Sequence, residues 1–224
     1  MTAPLLTVII PVYNEESTIL EVIQSVNQVD IKKEIIVVND GSTDNTPHIL
    51  SSLKYLILLH HQTNLGKGAA IQTAIPHITG EYVIFQDGDL ETTPKDYLKL
   101  LGTIQHNDCD VVFGSRWLGK SLEHTYHTFG NKVITWWANT LNTQKITDLA
   151  SCYKLIPSTI LRELNIRSKG FGLEAEITAK IDRLVYTIKE VPIQYNRRSV
   201  AEGKKLRLKD GLVAAWSCFR YRVF

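Results

Sequence analysis

The chain has 224 residues, 44% hydrophobic and 21% charged, with 7 Pro and 13 Gly; this is enough for one sizeable α/β core and shows neither disordered nor fibrous bias. Its three cysteines, Cys109, Cys152 and Cys218, lack any CxxC spacing, which argues against a disulfide framework or a zinc site and for a reducing, cytoplasmic compartment. The net charge of +2 conceals a basic end: from Arg197 to Arg222 there are eight Lys/Arg against two acids, leaving the rest of the chain at −4.

Met1 to Val12 has no basic start or long apolar run of a signal peptide and reads as a buried strand. No stretch reaches the roughly 18 apolar residues of a spanning helix, which leaves peripheral contact as the route to a membrane. Short apolar runs at Leu5–Val12, Glu34–Asn39, Tyr55–His60, Glu81–Gln86 and Cys109–Gly114 predict strands. Helices are expected between them: one from Glu15 with Ile19, Ile23 and Val26 on its inner face, one after Asp44, one from Gly66 to about Pro76, and one opened by Thr93-Pro94. Beyond Gly114 the pattern loosens, with a helix over Gly130–Asn142, a short strand over Ser151–Ile156, a helix over Phe171–Arg183, an extended Val185–Tyr195 and a closing amphipathic helix from about Lys209. Strands apolar on both faces and separated by helices imply a mainly parallel central sheet with helices on both faces. One domain over 1–224 is expected, with 1–114 as its nucleotide-binding half and 115–224 as its acceptor half.

Three strands end in polar residues, where a parallel sheet places its ligands: Pro11-Val12-Tyr13-Asn14-Glu15, Asn39-Asp40-Gly41-Ser42-Thr43-Asp44 and Gln86-Asp87-Gly88-Asp89-Leu90-Glu91. These ends should lie side by side. A nucleobase needs a flat wall and an acceptor for a ring N–H, which Tyr13 and Asp40 can supply. A diphosphate needs neutralisation, which Asp87 and Asp89 can give through a divalent cation. All-oxygen ligands favour Mg2+ or Mn2+ over zinc, with Glu91 as a third candidate. Asp-Gly-Asp is by itself equally a tight turn. Asp44 reads as a helix cap. Asn64-Leu65-Gly66-Lys67-Gly68 has neither GxxxxGK[ST] nor GxGxxG spacing, so it is either a plain loop or one whose amides and Lys67 face an anion.

These motifs resemble, in order, those of the family 2 glycosyltransferases with the GT-A nucleotide-sugar-binding fold, and within them the dolichyl/polyprenyl-phosphate mannosyltransferases and their bacterial relatives. The narrower likeness rests on Asp110-Val-Val-Phe-Gly-Ser-Arg116, Thr147-Asp148 followed by Cys152-Tyr-Lys, Phe171-Gly-Leu-Glu-Ala-Glu, and Val191-Pro-Ile-Gln-Tyr with Arg198 and Glu202-Gly-Lys-Lys. The resemblance implies nucleotide contacts from Pro11, Tyr13, Glu15, Val38 and Asp40, and donor phosphates held through metal by Asp87, Gly88 and Asp89. It gives Arg116, Arg198 and Lys204 to the donor diphosphate or the acceptor phosphate. Two departures stand out: Gly88 replaces the usual alanine of Asp-Ala-Asp, and Leu149-Ala150-Ser151 replaces a more polar stretch.

The resemblance further implies an inverting displacement that carries a hexose from a GDP-mannose or UDP-glucose type donor to polyprenyl or dolichyl phosphate, with Asp89, Arg116 and Arg198 as the catalytic set. A phosphate monoester is largely dianionic at neutral pH and attacks without a general base. A glycan or protein hydroxyl would need one, for which Glu174 and Glu176 are the candidates. Arg198, Lys204 and Lys205 pair with the acceptor phosphate or form a solvated basic loop. The aromatic and basic terminal helix suits a membrane interface, its own domain, a homodimer partner or a membrane subunit. A non-catalytic nucleotide-sugar or membrane-surface binding module is the reading of a different class, and no nucleic-acid signature is present.

Overall fold

The computed structural model describes residues 3–106, 108–119, 126–196 and 208–224. Strands β1 (Leu6–Val12), β2 (Lys33–Asp40), β3 (Ile57–His61), β4 (Tyr82–Phe85), β5 (Val111–Ser115), β6 (Lys154–Pro157) and β7 (Ile188–Pro192) form one sheet in the order β3-β2-β1-β4-β6-β5-β7. β1 is parallel to β2 and β4, β2 to β3, and β5 to β7, whereas β6 runs antiparallel to both β4 and β5. The sheet is therefore mainly parallel with one reversed strand. That strand separates β4 from β5, which a simple alternation of strands and helices would have made neighbours.

Alternation along the strands builds two cores. Ile9, Ile36, Val38, Val83 and Phe85 pack under α3 (Lys67–Ala74), α5 (Tyr126–Leu141), α6 (Ser158–Glu163), α7 (Leu173–Arg183) and α8 (Leu208–Val223). Val8, Ile10, Val12, Val37 and Ile84 pack under α1 (Ile19–Gln28), α2 (Thr46–Ser51) and α4 (Tyr97–His106). A strand with both faces in a core is what a run such as Val8-Ile9-Ile10 encodes.

Local chemistry moves some boundaries. α1 starts at Ile19 because the amides of Glu15 and Glu16 are drawn to Thr46 Oγ1 (3.0 Å) and Asp44 Oδ2 (3.1 Å) instead of entering a helix. Pro94 does begin a 3-10 turn ahead of α4, but Thr93 makes no side-chain cap. β6 begins at Lys154, three residues later than expected, and the six-residue α6 is too short to leave an apolar period in the sequence. α8 lies on its own domain: Trp137 Nε1 donates to Ala215 O (3.1 Å), and Arg222 Nε reaches Leu141 O and Asp182 Oδ2, both at 3.2 Å. Among the described residues, no helix is long and apolar enough to cross a membrane.

Candidate active site

The order β2-β1-β4 brings the three polar strand ends together as the sequence suggested. The loops after β1 and β2 are laced to one another. Asn14 turns the chain with φ 51°, an αL conformation that asparagine tolerates, and its side-chain oxygen accepts from Thr43 N at 2.8 Å while its own amide donates to Ser42 Oγ at 3.0 Å. Asp44 joins this lacing through the Glu16 and Thr46 amides. Burial raises its carboxyl's pKa, but those hydrogen bonds outweigh it and leave the group below its ordinary value.

Asp40, 3% exposed, holds the next layer. Its Oδ1 accepts from Leu65 N (2.8 Å) and faces His61 Nδ1 (2.6 Å), and its Oδ2 accepts from Gly66 N (2.8 Å). His61 Nε2 in turn meets Thr73 Oγ1 on α3 at 2.8 Å. Asp40 thus anchors the Asn64–Gly68 loop to the end of β2. Gly41 and Gly66, with φ of 70° and 98°, occupy the left-handed conformations this crossing requires.

The turn after β4 is fixed from beneath. Gln86, fully buried, accepts from Tyr97 OH (2.5 Å) and Tyr153 OH (2.7 Å) and donates to Asp87 O (3.0 Å) and Thr92 Oγ1 (3.2 Å). From the other side, Thr18 Oγ1 donates to Gly88 O at 2.9 Å. Asp89 Oδ1 accepts from Glu91 N (3.1 Å), closing the turn. Gly88 does not loosen this backbone, since its φ is not in the left-handed region and its carbonyl is held.

Lys67, the first residue of α3, extends between two acids: Nζ is 2.6 Å from Asp87 Oδ1 and 2.8 Å from Glu174 Oε1 at the start of α7. Desolvation lowers its pKa, yet the two carboxylates more than reverse this and hold it well above 10.5. The glycine-rich loop is therefore an arm that delivers a cation to the carboxylate turn.

Arg116 closes the opposite flank. Its Nε and Nη2 form a bidentate pair with Asp148, each at 2.7 Å, and Asp148 also accepts from Arg116 N and Asn131 Nδ2. Burial pulls the two groups toward neutrality, but their mutual attraction prevails, raising the pKa of Arg116 and lowering that of Asp148. The guanidinium lies 5.1 Å from the centroid of the Tyr195 ring, and Tyr195 OH donates to Glu91 Oε2 at 2.8 Å. Asn196 N donates to Glu91 O at 2.7 Å, so the chain enters its basic segment from beside the carboxylate turn.

Of the residues singled out in the sequence, Pro11, Tyr13, Glu15, Asp87, Gly88, Asp89 and Glu91 cluster at the ends of β1 and β4. Val38 is fully buried in the core, so its side chain is not offered to a nucleotide. Glu176 is removed as a base: fully buried, it accepts from Arg167 N (2.8 Å), Ser168 N (2.6 Å) and Lys180 Nζ. Arg198, Lys204 and Lys205 lie outside the described residues. Among the described residues no three His, Cys, Asp or Glu side chains converge as a metal cage. Two carboxylates on a rigid turn still fit Mg2+ or Mn2+, ions that bind through one or two carboxylates plus substrate phosphates.

A mainly parallel seven-stranded sheet with one reversed strand, whose β1, β2 and β4 ends gather polar loops and paired carboxylates, is the architecture of the GT-A class. The family model "Glycosyl transferase family 2" matches residues 7–164, and the chain belongs to that family of glycosyltransferases. A dolichyl-phosphate beta-glucosyltransferase of Trichomonas vaginalis is 29% identical over 241 residues, covering 96% of this chain and 72% of that protein. The glucosyl-3-phosphoglycerate synthase of Mycobacterium tuberculosis, solved with UDP, has TM-score 0.74 at 19% identity over 98% of this chain and 80% of that one. Another structure of that synthase holds Mn2+, UDP and phosphoglyceric acid. The mannosyltransferase PcManGT of Pyrobaculum calidifontis, solved with GDP-Man and Mn2+, has TM-score 0.64 at 22% identity over 86% of this chain and 56% of that one.

Proposed function

We propose that the chain is a metal-dependent inverting glycosyltransferase that moves a hexose from a GDP-mannose or UDP-glucose type donor to polyprenyl or dolichyl phosphate. The donor half of this reading rests on Asp87 and Asp89, held by Gln86, Thr18 and Lys67 beside the β1 loop. Bound there with the donor, Mg2+ or Mn2+ would neutralise the diphosphate and make it a better leaving group. In this reading Tyr13 and Asp40 would meet the base, and Arg116, aimed by Asp148 and Tyr195, would stand at the flank of the diphosphate.

The observation that carries the acceptor half is the state of the two candidate bases. Glu176 is spent on Lys180 and two amides, and Glu174 is paired with Lys67. A hydroxyl acceptor would need a carboxylate able to take its proton, whereas a phosphate oxygen attacks the anomeric carbon as it stands. The new C–O bond forms as the bond to the nucleoside diphosphate breaks, inverting the centre. The dolichyl-phosphate glucosyltransferase relative supports the same acceptor chemistry, and Arg198, Lys204 and Lys205 would meet its charge.

The test is a panel of GDP-mannose, GDP-glucose, UDP-glucose and UDP-mannose, each with Mn2+ or Mg2+, offered detergent-dispersed polyprenyl phosphate, 3-phosphoglycerate or a free glycan. Metal-dependent transfer to the lipid phosphate is expected. Transfer only to the glycan would overturn the acceptor assignment, and transfer only to phosphoglycerate would keep phosphate chemistry but remove the lipid.

A further inference from the structure

β7, the edge strand beyond β5, carries one acid, Glu190, away from the polar ends of β1, β2 and β4. Its register on β5 sets Phe113 opposite Glu190 and Ser115 opposite Pro192, and Ile193 N donates to Ser115 O at 3.1 Å. Gly114 allows this close approach, since a Cβ there would lie 2.6 Å from Ile193 Cγ2 and 2.9 Å from Tyr153 Cβ. So placed, both oxygens of Glu190 reach one short stretch of backbone: Oε2 accepts from Thr147 N at 2.7 Å and Oε1 from Asp148 N at 3.2 Å. Ser115 Oγ meets Thr147 Oγ1 at 2.6 Å and adds a third tie.

What these ties hold is the Asp148 side chain. Fully buried, it accepts from Arg116 N, Nε and Nη2 and from Asn131 Nδ2, so a shift of its backbone strains the pair with Arg116. Five residues beyond Glu190, Tyr195 lies against the same guanidinium and donates to Glu91. The stretch from Glu190 to Tyr195 therefore grips Arg116 twice, through Asp148 and through a ring, and ties it to the carboxylate turn.

A carboxylate is a costly staple here. Burial raises the pKa of Glu190, its hydrogen bonds with Thr147 and Asp148 lower it in part, and the charge of Asp148 adds to the rise. Two neighbouring acids are thus kept ionised, one answered by backbone amides and the other by Arg116, and local conflicts of this kind collect where function fixes a side chain. We propose that Glu190 is a positioning residue for Arg116: its carboxylate sets the Thr147–Asp148 backbone, and Asp148 sets the guanidinium. What Arg116 then does for the donor diphosphate rests on the reading above.

The experiment reads Arg116 itself. Its Nε–H resonance, assigned by its loss in Arg116→Lys, is followed by hydrogen-exchange NMR in the wild type, Glu190→Ala and Glu190→Gln, with folding checked by circular dichroism. Exchange should be about tenfold faster in Glu190→Ala and intermediate in Glu190→Gln, which keeps one acceptor oxygen. In calorimetry with Mn2+ and GDP or UDP, Glu190→Ala should weaken binding about tenfold in the wild-type background and have no effect on Arg116→Ala, because the two residues act as one network. Unchanged exchange at Arg116 in a folded Glu190→Ala, or an equal loss of affinity with and without Arg116, overturns the proposal. If Glu190→Ala does not fold, Glu190→Gln carries the same comparison. Faster exchange with nucleotide binding indifferent to both Glu190→Ala and Arg116→Ala upholds the positioning and removes Arg116 from the donor site.

Discussion

Lys67 Nζ stands 2.6 Å from Asp87 Oδ1, joining the start of α3 to the first carboxylate of the turn after β4. The same ammonium reaches Glu174 at 2.8 Å, so one cation holds two acids that would otherwise repel each other. Lys67→Met should lower stability by about 2 kcal/mol, less than for a fully buried pair because Asp87 remains one-third exposed. Mn2+ with a nucleoside diphosphate should restore much of the loss by neutralising Asp87. Thermal unfolding with and without these additions checks both points, and an unchanged midpoint in the variant would contradict the first.

Gln86 supports the carboxylate turn without facing the substrate. Gln86→Leu removes the acceptor of two buried phenols and the donor to Asp87 O and Thr92 Oγ1, so a loss of about 3 kcal/mol is expected. Tyr153→Phe, which removes one bond to a group that keeps another partner, should lose about 1 kcal/mol. Urea denaturation of the two variants should give that order, and the reverse order would show that Gln86 is not the centre of the network.

Gly88 can be tested against the alanine that the resemblance to Asp-Ala-Asp implies at this position. A Cβ there would lie 3.3 Å from Val12 Cγ2 and 3.6 Å from Glu15 Cγ, a tight but yielding contact, and the backbone is not left-handed. Gly88→Ala should therefore change stability by less than about 1 kcal/mol and leave Mn2+ affinity intact. A tenfold loss of metal affinity by calorimetry would mean that the turn needs glycine.

Lys154 gives the fold a pH signature. Its fully buried ammonium donates to Leu149 O (3.0 Å) and Ser151 O (2.7 Å), but desolvation lowers its pKa from 10.5 to about 8. Between those values the unfolded chain binds the proton and the folded one does not, so this group makes stability rise with pH across that window, by up to about 3 kcal/mol. The difference between wild type and Lys154→Met in urea should change by that amount between pH 7.5 and 10.5, endpoints set about the two pKa values. A constant difference would contradict the assignment.

Much of this was legible in the sequence because the strand ends carry both a local turn signal and a chemical one. Asn39-Asp40-Gly41 and Asp87-Gly88-Asp89 follow apolar runs whose two-faced burial dictates a parallel sheet, and such sheets gather their ligands at those ends. Lys67 was visible as a cation in a loop, but its destination depends on α7 arriving more than a hundred residues later. Asp148 and Tyr195 stood in recognisable motifs, yet their grip on Arg116 and Glu91 is tertiary. Glu174 and Glu176 looked alike at the start of a helix; two positions apart, one reaches Lys67 and the other is buried on Lys180, a difference that only packing decides. The strand over Ser151–Ile156 was expected, but the reversed direction of β6 and its place between β4 and β5 left no mark, since four residues show neither direction nor neighbour.

The central claim, a donor site built on the Asp87–Asp89 turn, is tested most directly by calorimetric titration of GDP-mannose and UDP-glucose into the purified protein, with and without Mn2+, for the wild type and Asp89→Ala. Metal-dependent binding of one donor that is lost in Asp89→Ala is the predicted result. Equal affinity in the variant, or donor binding indifferent to Mn2+ in the wild type, would contradict it.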